Sequence, residues 1–257
     1  MTAETRLMTY PFALLSELRD AANDHGYRIG PEEAAGWIFF RSASAPAEIG
    51  LAAASPSGPF FLSVMHQGVA RTLGAPPVSP CAKGHAAAFV FATRDDLHAG
   101  VQAVYQLSVS LPNFPLEKYE KAVAGIGDTE GEGAQKFRIG QNIFRDALME
   151  YWNGRCPMSG ICSPDLLRAS HMMPWARCET DAQRLDVYNG LLLSALWDAA
   201  FDAGLVTFDD DGKVLPSVHL EDAAQEALAL NEAPRLALRD DHRPYLAYHR
   251  DHVWIRN

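Results

Sequence analysis

Four side chains in the second half of the sequence have types and spacings that suit chemistry: His171 in LLRASHMMPW, Asn189 in VYNGLLL, and Asp198 and Asp202 in ALWDAAFD. An imidazole with a pKa of about 6.5 is largely neutral at physiological pH and can take a proton from water. It does so only in one tautomer, with an acceptor holding the other ring nitrogen. Aspartates four residues apart share one face of a helix, and carboxylate oxygens suit hard divalent cations better than soft ones. Each residue also has a bland reading. A histidine after an apolar run packs in a core, Asn-Gly forms a hairpin turn, and an aspartate pair lies on a solvated helix face with Trp197 and Phe201 turned inward.

The elements that must position these residues are legible locally. Residues 166–171 read as a strand, 176–186 as a polar excursion, Gly190–Leu193 as a second strand, and Ser194–Ala203 as a helix stopped by Gly204. A hairpin around DDDG follows. Strand, loop, strand and helix bring His171, Asn189, Asp198 and Asp202 within reach of one another. Upstream, KFRIGQNIFRDALMEYWNG sets Phe137, Phe144, Leu148 and Tyr151 along one helical stripe.

The pieces RCPMSG, LLRASHMMPW, RLDVYNGLLLSALWDAAFDAGL and RPYLAYHRDHVW, in that order over residues 136–257, resemble the HNH (ββα-metal) endonucleases of the bacterial restriction-type branch. The resemblance implies His171 as general base and Asn189 as the residue that orients its ring. It also implies Asp198 as metal ligand, with Ser170, Asp202 or water completing the shell. The implied cofactor is one divalent ion, Mg2+ or Mn2+, with Ni2+ or Co2+ as further options. Such an ion stabilises both the non-bridging phosphate oxygen and the leaving group, and relatives leave 5′-phosphate and 3′-hydroxyl ends. Two positions depart from the family pattern: Ser170 stands where many relatives carry Asp or His, and Trp197 where histidine is frequent. His171 as a metal ligand, with a metal-bound hydroxide as base, is the alternative assignment.

Length and composition set the frame. At 257 residues with 48% hydrophobic and 21% charged side chains, the chain has the balance of a folded protein with two ordinary domains. A net charge of −10 excludes bulk electrostatic coating of nucleic acid. The one long window leaning positive runs from 136 to 184, where Lys136, Arg138, Arg145, Arg155, Arg168, Arg177 and Arg184 outnumber the acids. Arg145, Arg155 and Arg184 are the candidate phosphate contacts. No charged-then-apolar leader and no run of about 18 apolar residues is present, so the expected location is cytoplasmic. Four cysteines without a tight C-x2-4-C knuckle fit buried thiols better than structural zinc.

The first half reads as a helix from Phe12, three strands in GWIFFRS, EIGLAAAS and PFFLSVM, a fourth in AAAFVFA, and a helix capped at Thr93. The fold class expected is therefore α+β: an N-terminal domain over 1–124 with a small antiparallel sheet, a glycine-rich linker over 125–134, and a nuclease-like ββα-metal domain over 135–257. A recognition domain ahead of a nuclease fits a restriction enzyme that cuts double-stranded DNA, in one version dependent on modified cytosine. Trp37, Phe39, Phe40, Phe60, Phe61 and Phe89 then line a base pocket or, more simply, fill the core. The competing class is a DNA reader whose nuclease fold is inactive. Cutting both strands with one site per chain makes a homodimer an attractive assembly.

Overall fold

The computed structural model describes residues 11–73, 78–127 and 129–256. The chain divides into two compact units, Met1–Leu111 and Pro112–Asn257. Among the described residues, no helix is long and apolar enough to cross a membrane.

The first unit is mixed helix and sheet. Helix α1 (Phe12–Asp24) precedes strands β1 (Ile29–Ala34), β2 (Trp37–Arg41), β3 (Glu48–Ala53) and β4 (Phe60–Val64), then α2 (Gln67–Leu73), β5 (Ala87–Phe91) and α3 (Arg94–Ser110). The five strands form an antiparallel meander in sequence order. Ile38, Leu51, Leu62 and Phe89 pair directly across four strands, and all are buried. Trp37, Ala52 and Phe61 belong to a second cluster closed by Ala82 and Ala88. With both faces covered, β3 and β4 read as continuous apolar runs rather than alternating ones. Of the six aromatic residues considered for a base pocket, Trp37, Phe40, Phe60, Phe61 and Phe89 are buried core and Phe39 is half-buried. Strand β1 carried no sequence signal, because its residues IGPEEA form a mostly exposed edge.

The second unit begins earlier than the glycine-rich stretch suggested. Helix α4 (Phe114–Val123) packs against α5 (Glu130–Tyr151), and Tyr119 of α4 joins the core of this unit. The expected linker over 125–134 is half helix. Thr129 and Glu132 form a reciprocal capping box, which satisfies the first orphan N–H groups and starts α5 among glycines. After α5 come β6 (Leu167–His171), α6 (Asp181–Arg184), β7 (Gly190–Ser194), α7 (Ala195–Asp202), β8 (Val206–Phe208), β9 (Val214–Pro216), α8 (Asp222–Ala227) and α9 (Arg243–His252). Strands β6 and β7 form an antiparallel pair in which Ser170 faces Leu191 and His171 faces Gly190. Helix α7 follows β7 without a loop and packs on β6. Leu191, Leu192 and Leu193 of β7 are fully buried with Phe144 and Leu148 of α5, Phe201 of α7 and Phe208 of β8. A turn at Gly204, in the left-handed region at φ +69°, ends α7 as its residue type predicts.

Candidate active site

His171 ends β6 with its ring laid flat against Phe144 of α5, the centroids 3.8 Å apart and the planes 15° from parallel. Trp175 meets the same ring edge-on at 5.6 Å. Two glycines make this box possible. A Cβ at Gly190, directly across the ladder from His171, would lie 2.5 Å from the Phe144 ring, and one at Gly140 of α5 would lie 2.5 Å from Trp175. Gly190 has an extended backbone at φ −142°, so it supplies room rather than an unusual dihedral, and Asn189-Gly190 is not the tip of a tight hairpin.

The half-buried His171 ring donates from Nε2 to the carbonyl oxygen of Arg184 at 2.9 Å. A carbonyl only accepts, so the proton resides on Nε2 and Nδ1 keeps its lone pair. Nδ1 has no protein partner among the described residues. Burial pushes the imidazole down to about 4, partly opposed by its bond to the Arg184 carbonyl. The ring is therefore neutral at pH 7, with Nδ1 unprotonated.

The acceptor expected for this ring was Asn189, and the structure gives that place to a backbone carbonyl. Asn189 is fully buried and works one step back. Its Oδ1 accepts from the Met173 N–H at 2.8 Å, and its Nδ2 donates to the carbonyls of Met173 and Gln183 at 3.2 and 3.1 Å. The amide thus clamps the loop between β6 and β7 at both ends, and the clamped loop delivers the Arg184 carbonyl to His171. Asp186 caps the turn just before β7 by accepting from the Tyr188 N–H, and burial pushes its carboxyl up to about 6.

The acidic side of the site is on α7. Asp198 and Asp202 lie four residues apart, as the spacing predicted. The buried Ser170 hydroxyl donates to Asp198 Oδ1 at 2.5 Å, so Ser170, the residue before His171 in β6, orients this carboxylate of α7. Asp202 is exposed by surface area, yet desolvation first and the Asp198 charge second push its carboxyl up to about 6. Neither aspartate has an ion-pair partner among the described residues. Two uncompensated carboxylates on one face are a donor set for a hard divalent cation that keeps several water or phosphate oxygens. No group of three His, Cys, Asp or Glu residues close enough to hold a metal occurs among the described residues, and the Ser170 hydroxyl is engaged with Asp198. Trp197 packs in the core beside Phe208.

The three arginines singled out for phosphate each hold backbone carbonyls of the C-terminal unit. Arg145 donates to the carbonyls of Leu167 and Pro164, both at 2.7 Å. Arg155 donates to the Gly160 carbonyl. Arg184 holds the carbonyls of Trp175 and Cys178 and pairs with Asp181. Each bridges segments of loop that have no ladder of their own, a demand that composition does not reveal. Arg138 and Arg177 are exposed and have no side-chain partner among the described residues. Of the tail histidines, His249 is buried with both ring nitrogens engaged, and His252 is exposed against Tyr248.

No curated protein matches the chain. A family model described as HNH endonuclease matches residues 156–209, a segment that takes in β6, the clamped loop, β7, α7 and β8. The chain carries an HNH nuclease domain in its C-terminal unit.

Proposed function

We propose that this protein is a metal-dependent DNA endonuclease in which His171 is the general base and Asp198 and Asp202 hold one divalent cation, Mg2+ or Mn2+. The observation that carries the reading is the His171 ring: neutral, fixed as the Nε2–H tautomer by the Arg184 carbonyl, with Nδ1 unpartnered among the described residues, one residue along β6 from the Ser170 that holds Asp198. In the reaction, water gives one proton to Nδ1 while its oxygen attacks phosphorus, the bond from phosphorus to the 3′ oxygen breaks, and that oxygen takes a proton from solvent to leave as the 3′-hydroxyl. A divalent ion, when bound, neutralises charge on the phosphate and on the departing oxygen. Stacking on Phe144 keeps the imidazole from turning, and the Ser170 hydroxyl holds Oδ1 of Asp198 in place. Arg138 and Arg177 are the candidate phosphate contacts in place of Arg145, Arg155 and Arg184.

The biological role that fits is restriction or defence, with the N-terminal unit supplying selectivity that backbone contacts do not give. Dependence on modified cytosine is one form of that selectivity. The test is digestion of matched unmodified, methylated and hydroxymethylated plasmids with Mg2+, Mn2+, Ni2+ and Co2+, using the wild type and His171→Ala. Cleavage that needs metal and is lost in His171→Ala supports the reading. Binding of DNA without cleavage under every ion overturns it in favour of an inactive DNA reader, and equal cutting of all three DNAs removes the modified base.

A further inference from the structure

Helix α9 lies far along the chain from the nuclease motif, beyond the segment that the family model matches. Two of its residues, Tyr245 and His249, are one helical turn apart and face the same way. The Tyr245 hydroxyl donates to Asp186 Oδ2 at 3.0 Å. Asp186 uses its other oxygen to cap the turn that ends in Asn189, and it stands two residues from the Arg184 carbonyl that fixes His171. His249 donates from Nε2 to the Phe201 carbonyl of α7 at 3.1 Å and stacks on the Phe201 ring at 3.8 Å. Its Nδ1 accepts from the Thr207 hydroxyl of β8 at 2.9 Å, which fixes the tautomer. Phe201 sits between Asp198 and Asp202. One rigid element thus bonds to the loop behind the base and to the helix that carries the two carboxylates.

We infer that α9 is a brace that sets the spacing between the His171 side and the Asp198–Asp202 side of the site, with Tyr245 and His249 as its positioning residues. Neither touches substrate; each acts through the element it holds. The inference rests on the proposed nuclease reading for its kinetic consequences and on geometry alone for its structural ones.

The experiment uses full-length wild type, Tyr245→Phe, Asp186→Ala, His249→Leu and His249→Gln, each checked by thermal melting. Proton exchange at the His171 Nε2–H is followed by nitrogen-15 NMR of the imidazole, Mn2+ affinity by calorimetry, and plasmid cleavage by kcat and KM. Tyr245→Phe, losing one hydrogen bond, is expected to accelerate Nε2–H exchange and lower kcat about 5- to 10-fold with KM within about twofold. Asp186→Ala must reproduce the same exchange effect from the other end of the bond. His249→Leu is expected to weaken Mn2+ binding several-fold, and His249→Gln, which keeps a donor at the Nε2 position, to restore it. Unchanged exchange in both Tyr245→Phe and Asp186→Ala, or Mn2+ affinity equal in His249→Leu and wild type, overturns the brace. Absence of cleavage by the wild type instead overturns the nuclease reading, while the exchange and calorimetry still decide the brace.

Discussion

Asn189→Asp changes one heavy atom and separates the clamp seen here from a direct role on the imidazole. In the wild type the amide accepts one backbone N–H and donates to two carbonyls, from a fully buried position. Only one orientation of the amide satisfies all three. An aspartate keeps the acceptor for Met173 N–H but sets an oxygen against the carbonyls of Met173 and Gln183. Each lost bond that leaves a buried group unpaired costs about 1–3 kcal/mol. Two such losses, plus the cost of a carboxylate in that pocket, give about 3–5 kcal/mol at pH 7. Asn189→Ala leaves the same carbonyls and the Met173 N–H unpaired without the added repulsion and is expected to cost at least about 3 kcal/mol. Urea unfolding followed by tryptophan fluorescence reads this directly, because Trp152, Trp175, Trp197 and Trp254 all belong to the C-terminal unit. A substitution acting only on the ring's proton would lower cleavage with stability intact. Stability of Asn189→Asp within about 0.5 kcal/mol of wild type, where ordinary surface changes fall, would refute the clamp.

Other outcomes follow from the same geometry. Gly190→Ala drives a methyl into the Phe144 ring and is expected to destabilise the C-terminal unit by about 1–3 kcal/mol and to displace His171, visible as a changed imidazole shift in NMR. Ser170→Ala frees Asp198 and is expected to weaken Mn2+ binding several-fold by calorimetry without loss of fold. Burial holds His242 and His249 at about 4, so the unfolded chain binds protons first as pH falls below about 6.5. The stability they contribute is complete above that value, lost between about 6.5 and 4, and constant below, by about 3 kcal/mol for each residue. Urea midpoints across that range should fall accordingly, and His249→Gln should flatten the curve. Arg138→Ala and Arg177→Ala are each expected to lower the slope of log K against log salt for DNA binding by about 0.9, whereas Arg145→Ala should instead lower the melting temperature.

Much of the site could be read from sequence because its signals are local. His171 at the end of a strand, Gly190 opening the next, and Asp198 and Asp202 four apart before a stopping glycine depend on periodicity within a few residues. The structure reproduces those elements to within a residue or two. The apolar runs of β2 to β5 were equally plain, since a sheet covered on both faces needs little but hydrophobic residues.

What the sequence by itself determined, then, was which short elements bear His171, Asn189, Asp198 and Asp202. Only the tertiary structure decided who holds whom. The Arg184 carbonyl as partner of His171, Asn189 as loop clamp, Ser170 as holder of Asp198, and Arg145, Arg155 and Arg184 as internal tethers all join residues through hydrogen bonds whose partners are set by packing. The start of α5 inside an apparent linker is the same lesson at smaller scale: four glycines suggested a flexible tether, and one reciprocal cap between Thr129 and Glu132 outweighed them. Backbone carbonyls are the reason. Every residue has one, so composition cannot say which will be left without a partner until the fold has closed around it.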